Sequence, residues 1–308
     1  MEKEENILGD FEDKYLKTKK KNRILLLFII LLIIIIIILV IVFINSKSGD
    51  QGQENINSNM SNQCPVIKEV IGGLIGHGYI TRHWNCCKPF CSSTQNAGAS
   101  NEAWQCDASM NIITDKNAVS ICEGGPSTMC LSQIPFTIEG CNNMGFAFAA
   151  FSGRNNCGKC FLLEFTGKGK DVQRNHYKLL KPKKLIVMVL NLDYTDEKEE
   201  NQPFTIMIPG GGTGNPNRCS SVLGDNLGVP YGGLLGECAE EIGYDPDDNI
   251  IYTKRKECLI QKCNDVFSNI TEAREGCLFL ANFFEVAADP LHNYKEIECP
   301  QVLKDRYY

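Results

Sequence analysis

Hydrophobic and polar positions divide this chain sharply at its amino end. Residues 1–23 are polar and mixed in charge, closing on Lys17, Lys19, Lys20, Lys21 and Arg23. Residues 24–44 are then apolar without interruption, rich in isoleucine and leucine and free of charge. A helix of that length, at about 1.5 Å per residue, crosses a hydrocarbon layer of roughly 30 Å. A cleaved secretory signal has a shorter apolar core, about 7–15 residues, and a small-residue cleavage site. This run is longer and is followed by Asn45, Ser46, Lys47 and Ser48. A buried helix of a soluble domain normally carries some polar positions, and this run has none. The basic excess ahead of the run places the amino terminus in the cytosol and the rest outside or in a lumen, as in a single-pass type II membrane protein with a signal anchor. The lysines at 19–21 read most simply as that topology signal, with attraction to anionic lipid as an added effect. Residues 45–63 are rich in Ser, Asn, Gln and Gly, the composition of a flexible stalk.

Beyond Cys64 the periodicity changes. Short strand-like runs at 161–165, 185–191, 204–208, 279–284 and 294–297 alternate with Gly-rich turns, and helical patterns are few and brief. No linker divides the remainder. The expectation is one all-β or β-rich domain over 64–308 with long loops, among them an inserted polar loop at 239–257 that turns at 245–248.

Charge and cysteine content narrow the class. The chain has 308 residues and a net charge of −6, which argues against nucleic acid as a partner. All 16 cysteines follow the apolar run, an even number on the oxidising side of a membrane, so a disulfide framework is expected. The CxxC formed by Cys157 and Cys160 has no second CxxC or histidine pair at ligand spacing, so neither a metal nor another cofactor is expected. The Asn59 and Asn269 sequons agree with that topology. Gly210, Gly211 and Gly212 lack the strand-to-helix context and the Lys-Ser or Lys-Thr of a phosphate loop, and read as a tight turn.

Residues 81–91, Thr-Arg-His-Trp-Asn-Cys-Cys-Lys-Pro-Phe-Cys, concentrate the candidate chemistry. Adjacent cysteines do not readily bridge each other, because neighbouring Cα atoms lie about 3.8 Å apart with diverging side chains. Each must reach a distant partner, which makes the segment a hub. The run resembles the signature of glycoside hydrolase family 45, the small secreted endoglucanases, which reads Thr-Arg-Tyr-Trp-Asp-Cys-Cys-Lys-Pro-Ser-Cys. Further matches follow in order. Cys122-Glu123-Gly124-Gly125 precedes Cys130 and Gln133-Ile134-Pro135-Phe136. Gly145-Phe146-Ala147 follows, then Cys157 with Cys160, then Ile208-Pro209-Gly210-Gly211-Gly212. Tyr231-Gly232-Gly233 and Cys299-Pro300 complete the likeness.

The resemblance implies a six-stranded double-psi β-barrel with an open groove for an extended β-1,4-linked polysaccharide. It also implies bridges Cys86–Cys219, Cys87–Cys122, Cys91–Cys157, Cys106–Cys130, Cys160–Cys299 and Cys263–Cys277. Cys238 with Cys258 is expected because the two bracket the inserted loop, and Cys64 with Cys141 by elimination. Inverting glycosidases need two carboxyl groups, about 6.5–9.5 Å apart, one giving a proton to the leaving oxygen and one activating water. The family aspartates for those roles correspond here to Asn85 and Thr205. Thr81, Arg82, His83, Trp84, Lys88 and the glycine turn are the implied substrate contacts. His83 reads equally as a partly buried structural histidine, and Trp84 as core. Ser93 stands where the family has a further tryptophan.

Asp193, Asp196 and Glu197 precede Phe204, and Asp196 lies near the place of a family auxiliary aspartate; the stretch reads also as a solvated acidic loop. Three functions remain open. One is a membrane-anchored, monomeric, polysaccharide-binding module with reduced or lost hydrolysis, for which expansins, sharing the barrel without cleaving, give a precedent. The second is an active endo-β-1,4-glucanase with relocated carboxylates, and the third a protein-binding scaffold.

Overall fold

The computed structural model describes residues 64–98, 101–171, 173–193, 202–243, 245 and 247–308. The expected membrane span, the stalk, Asn59, Asp196 and Glu197 lie outside them. Among the described residues no helix is long and apolar enough to cross a membrane.

Seven strands carry the architecture: β1 (Ile75–His83), β2 (Phe136–Thr137), β3 (Met144–Ser152), β4 (Cys160–Gly169), β5 (Lys184–Asp193), β6 (Gln202–Met207) and β7 (Pro290–Ile297). They hydrogen-bond in the order β2-β3-β5-β4-β7-β1-β6, and β6 also pairs with β3. Six strands therefore close into a ring, with β2 as an appendage on β3. The β1–β6 and β3–β5 pairs are parallel and the others antiparallel. Closure removes the exposed edges that an open sheet would have to protect.

Inside the ring, Phe204 stacks on Phe151 with ring centroids 4.3 Å apart, and Phe161 and Tyr294 meet Phe204 edge-on. Strand β3 is buried along almost its whole length, because its second face is covered as well. A side chain at Gly145 would collide with the rings of Phe279 and Phe283, which lie on that outer face.

The covering layer corrects the sequence reading. Residues 279–284 are not a strand: Phe279 to Asn282 end a helix, Thr271–Asn282. Residues 239–242 and 248–257 are not a loop but parts of two helices, Gly233–Ile242 and Asp248–Val266. The second of these starts at Asp247, whose carboxylate accepts from the backbone N–H groups of Asn249 and Ile250 and so caps the first turn. Shorter helices lie at Thr94–Ala97, Ser220–Leu223 and Gln301–Tyr307.

The cysteines join as Cys64–Cys141, Cys86–Cys219, Cys87–Cys122, Cys91–Cys157, Cys106–Cys130, Cys160–Cys299, Cys238–Cys258 and Cys263–Cys277. These are the pairs expected above. Two of them staple the helical layer to itself, and three run from the hub to Cys122, Cys157 and Cys219, which lie outside the strands. The described residues belong to one compact unit, Met60–Tyr308.

Candidate functional site

Successive side chains of a strand point to opposite faces. On β1 and β6 the core-facing residues are Ile80, Phe204 and Ile206, all buried. Thr81 and Thr205 therefore face outward, and the parallel register sets them directly beside each other. Their hydroxyl oxygens are 2.7 Å apart. The Thr205 Oγ1–H donates to Oδ2 of Asp193 at 2.8 Å. A hydroxyl has one proton, so Thr81 must be the donor to Thr205. The result is a directed chain, Thr81 to Thr205 to Asp193. Asp193 is the half-buried last residue of β5, registered against Ser152 of β3, and it is not in a loop.

His83 follows on the same outer face as Thr81. Burial pushes its imidazole below the ordinary histidine range, while the nearby Asp193 carboxylate works the other way. Its Cε1 lies 3.5 Å from where a side chain at Gly214 would begin, so the glycine turn packs over the ring.

Asn85 leaves the end of β1 in a tight local turn, its Oδ1 accepting from the Cys87 N–H at 3.1 Å. The remaining polar atom of that amide is a nitrogen, a donor with no useful basicity. Cys86 adopts a left-handed φ of 58°, and its carbonyl accepts from the Thr128 hydroxyl. The hub also reaches β5, where Asn191 Oδ1 accepts from the Phe90 N–H at 3.1 Å.

Most of the other implied substrate contacts hold the structure together. Arg82 donates from Nη1 to the Ala288 carbonyl at 3.0 Å and from Nε to the Gly232 carbonyl at 3.4 Å. Burial lowers its pKa from the ordinary arginine value, opposed by Asp289; the same burial raises the Asp289 carboxyl, opposed by Arg82. The two charges sustain each other. Trp84 is 1% exposed and has no face for a sugar, so the core reading of that residue holds and the platform reading does not. Lys88 Nζ donates to the carbonyls of Lys116 at 2.7 Å and Ala118 at 3.0 Å.

Gly210, Gly211 and Gly212 are buried. The Gly212 carbonyl accepts from the Trp84 N–H at 2.7 Å, and the Gly210 carbonyl accepts from the Leu234 N–H at 2.9 Å. A side chain at Gly211 would meet the Ile208 carbonyl oxygen at 2.8 Å and Arg82 Cβ at 3.2 Å, which is why this turn needs glycine there. The turn clamps the end of β1 and seats the first helix of the covering layer.

Two arrangements involving residues named above, a cleft and an exposed ring, were not read from sequence. Residues around Lys88, Phe90, Ser93, Asn96, Ser120 and Glu123 line a polar cleft of about 340 Å³ beside the hub. Tyr231, at 80% exposure, presents a ring to solvent from the turn whose Pro230 carbonyl accepts from the Gly214 N–H. The second was detectable in principle as an aromatic between a proline and two glycines, a position with nowhere to bury a ring. Among the described residues no group of histidine, cysteine or carboxylate side chains is placed to hold a metal ion.

Comparison with known proteins agrees with this architecture. The sequence profile of Glycosyl hydrolase family 45 matches residues 77–244. Endoglucanase B of Cellvibrio japonicus (strain Ueda107) is 34% identical over 247 residues, covering 78% of this chain and 46% of that protein. An endoglucanase of the springtail Cryptopygus antarcticus is 31% identical over 248 residues, covering 78% of this chain and 92% of its own length. The crystal structure of the cellulase from the same Antarctic springtail superposes with a TM-score of 0.57 at 30% identity, over 76% of this chain and 96% of that one. With the profile, the relatives and the superposition in agreement, the chain belongs to glycosyl hydrolase family 45.

Proposed function

We propose that this protein binds an extended β-1,4-linked glucan along the outer face of β1 and β6 and hydrolyses it slowly, as a membrane-anchored endoglucanase. The observation that carries this reading is the Thr81–Thr205–Asp193 chain, in which a carboxylate stands beside Thr205, the position that the resemblance assigns to one of the two family aspartates. The other position holds the Asn85 amide, a poor proton acceptor. An acid or base role is worth about 10²–10⁴ in rate. With one carboxylate in contact instead of two, turnover is expected to fall below that of relatives carrying both by a factor in that range.

The polar cleft beside Lys88 and the exposed ring of Tyr231 supply hydrogen-bonding and stacking surface for sugar units. In this reading the closed ring is the double-psi barrel of the family, residues 24–44 anchor a monomer with its carboxy-terminal domain outside the cytosol, and the exposed Asn269 carries an N-glycan, as does Asn59.

Retention of the full-length chain on swollen cellulose, with chitin as the control, tests the binding. Release of reducing ends from a soluble β-1,4-glucan, with a fall in viscosity ahead of sugar release, tests the endo-acting hydrolysis. A chain retained on neither polymer and releasing no sugar would remove this reading in favour of a protein-binding scaffold.

A further inference from the structure

Position 205 has lost its carboxyl, yet the space just beyond it holds one. An aspartate at 205 would place its carboxyl oxygens about one bond further from the strand than Thr205 Oγ1. Asp193 Oδ2 lies 2.8 Å from that atom, brought there from the end of a different strand. Among the described residues no other carboxylate has a hydrogen bond or ion pair with Thr81, His83, Asn85 or Thr205. Asp289 lies within electrostatic reach of Arg82 and Lys170, and Glu285 is held between Lys183 and Lys256.

The hydrogen-bond direction adds a second argument. Because Thr81 donates to Thr205, the Thr205 proton is committed to Asp193, and that oxygen of Asp193 is oriented as an acceptor. A carboxyl that accepts from Thr205 and stands half exposed at a barrel rim has two attributes of a proton donor, a set direction and contact with solvent for reprotonation, and burial disfavours the charged form of the nearby His83.

We propose that Asp193 donates the proton to the leaving glycosidic oxygen, in place of the carboxyl that position 205 lacks, with Thr205 as its positioning residue. The inference rests on the polysaccharide reading above. In the step, the Asp193 carboxyl O–H gives its proton to the bridging oxygen. The C1–O bond breaks, and its electron pair stays on that oxygen. A water oxygen bonds to C1, and the proton that water sheds passes to solvent. The Asp193 carboxylate then recovers a proton from solvent, so the cycle closes as hydrolysis.

The experiment compares full-length wild type, Asp193→Asn, Asp193→Asn/Thr205→Asp and Thr205→Val. Each is measured on carboxymethylcellulose for reducing ends, on swollen cellulose for retention, and by thermal unfolding. Asp193→Asn is expected to lose hydrolysis by about 10²-fold or more, with retention within about twofold of wild type. The double variant, with its carboxyl back on β6, is expected to recover a large part of that loss. Thr205→Val, which removes the hydroxyl that donates to Asp193, is expected to lower kcat several-fold with little change in KM.

Hydrolysis by Asp193→Asn within about threefold of wild type would overturn the assignment. So would a folded double variant that recovers nothing, or a wild type that is retained on cellulose but cleaves no glucan. The last result would leave the binding function standing. A wild type that neither binds nor cleaves would overturn both.

Discussion

The inner and outer faces of β1 and β6 are made by alternate residues of the same strands, and they behave as different materials. The inner face is Ile80, Phe204 and Ile206, sealed against Phe151, Phe161 and Tyr294. The outer face is Thr81, His83 and Thr205, half-buried and polar, reaching across to Asp193. The inner face fixes where the outer groups stand, because a pleated strand held by its core residues leaves the next side chain little choice of direction. Outer chemistry can then be changed at less cost to the barrel than inner packing. That separation of duties is open to test.

The largest effect belongs to the inner face. Phe204 is fully buried and central to the aromatic cluster. Phe204→Ala is expected to cost about 3–5 kcal/mol by lost burial and the cavity left behind, read from denaturant unfolding. Both faces should fail together in this variant, since Thr205 is its neighbour on the strand. Next comes the pin between the faces. Arg82→Ala leaves the Gly232 and Ala288 carbonyls without their donor and removes one of the two cations, with Lys170, that favour the Asp289 carboxylate. A loss of about 2–3 kcal/mol is expected, with hydrolysis per folded molecule changed less than stability. The opposite ranking, activity gone with stability intact, would return Arg82 to the substrate.

Legibility from sequence followed the same division. Strands β4, β5, β6 and β7 were visible because each carries a run of apolar or alternating residues bounded by turns. The helical layer was missed for two reasons. In residues 248–266 the buried positions are Ile251, Leu259 and Cys263, too thin a stripe to announce a helix among so many charges. In residues 271–282 the short window at 279–284 looked like a strand. Within the buried set Ala273, Gly276, Cys277, Phe279, Leu280 and Ala281, the residues at 273, 276, 277 and 280 have helical spacing once the window extends upstream. The site was legible as a list but not as an arrangement. Asp193 and Thr205 are twelve positions apart with the acidic stretch between them, and only ring closure through β3, which pairs with both β5 and β6, brings them together. Arg82, Lys88 and Trp84 looked like ligands because charge and aromaticity are what ligands need. They are equally what a disulfide hub needs to satisfy its carbonyls and fill its core.

Acid should separate the faces more gently. His292 is 1% exposed on the inner face, beside Phe204 and Tyr294 and within electrostatic reach of His77, and its pKa is held down to about 3, first by burial. His176, stacked on Tyr252, is held down to about 4, first by burial and then by Arg174 and Arg255, against the pull of Asp248 and Glu285. Both are neutral in the folded state and take up protons near 6.5 when unfolded. The unfolded chain therefore binds more protons below that point, and stability that is complete above pH 6.5 is lost as pH falls towards 3–4. A drop of about 1 kcal/mol per histidine by pH 5.5 is expected. His292→Leu should flatten the stability profile between pH 6.5 and 4, and a profile just as steep in that variant would place the acid sensitivity elsewhere.

The smallest effect is the sharpest test of the separation. Thr81→Val keeps the shape of the side chain and removes the donor to Thr205. The bond is part-buried on the outer face, and Thr205 retains Asp193 as its acceptor, so no buried polar atom is orphaned. A loss of about 0.5–1 kcal/mol follows, which in a domain of this size lowers the unfolding temperature by about 1–4 °C. Without a donor to polarise it, the Thr205 hydroxyl holds Asp193 by a weaker hydrogen bond. Turnover should therefore drop by more than stability does, while retention on cellulose stays. If instead Thr81→Val destabilises the chain as heavily as Phe204→Ala, the outer hydroxyls are part of the barrel's own support, and the two faces of these strands do not divide the work.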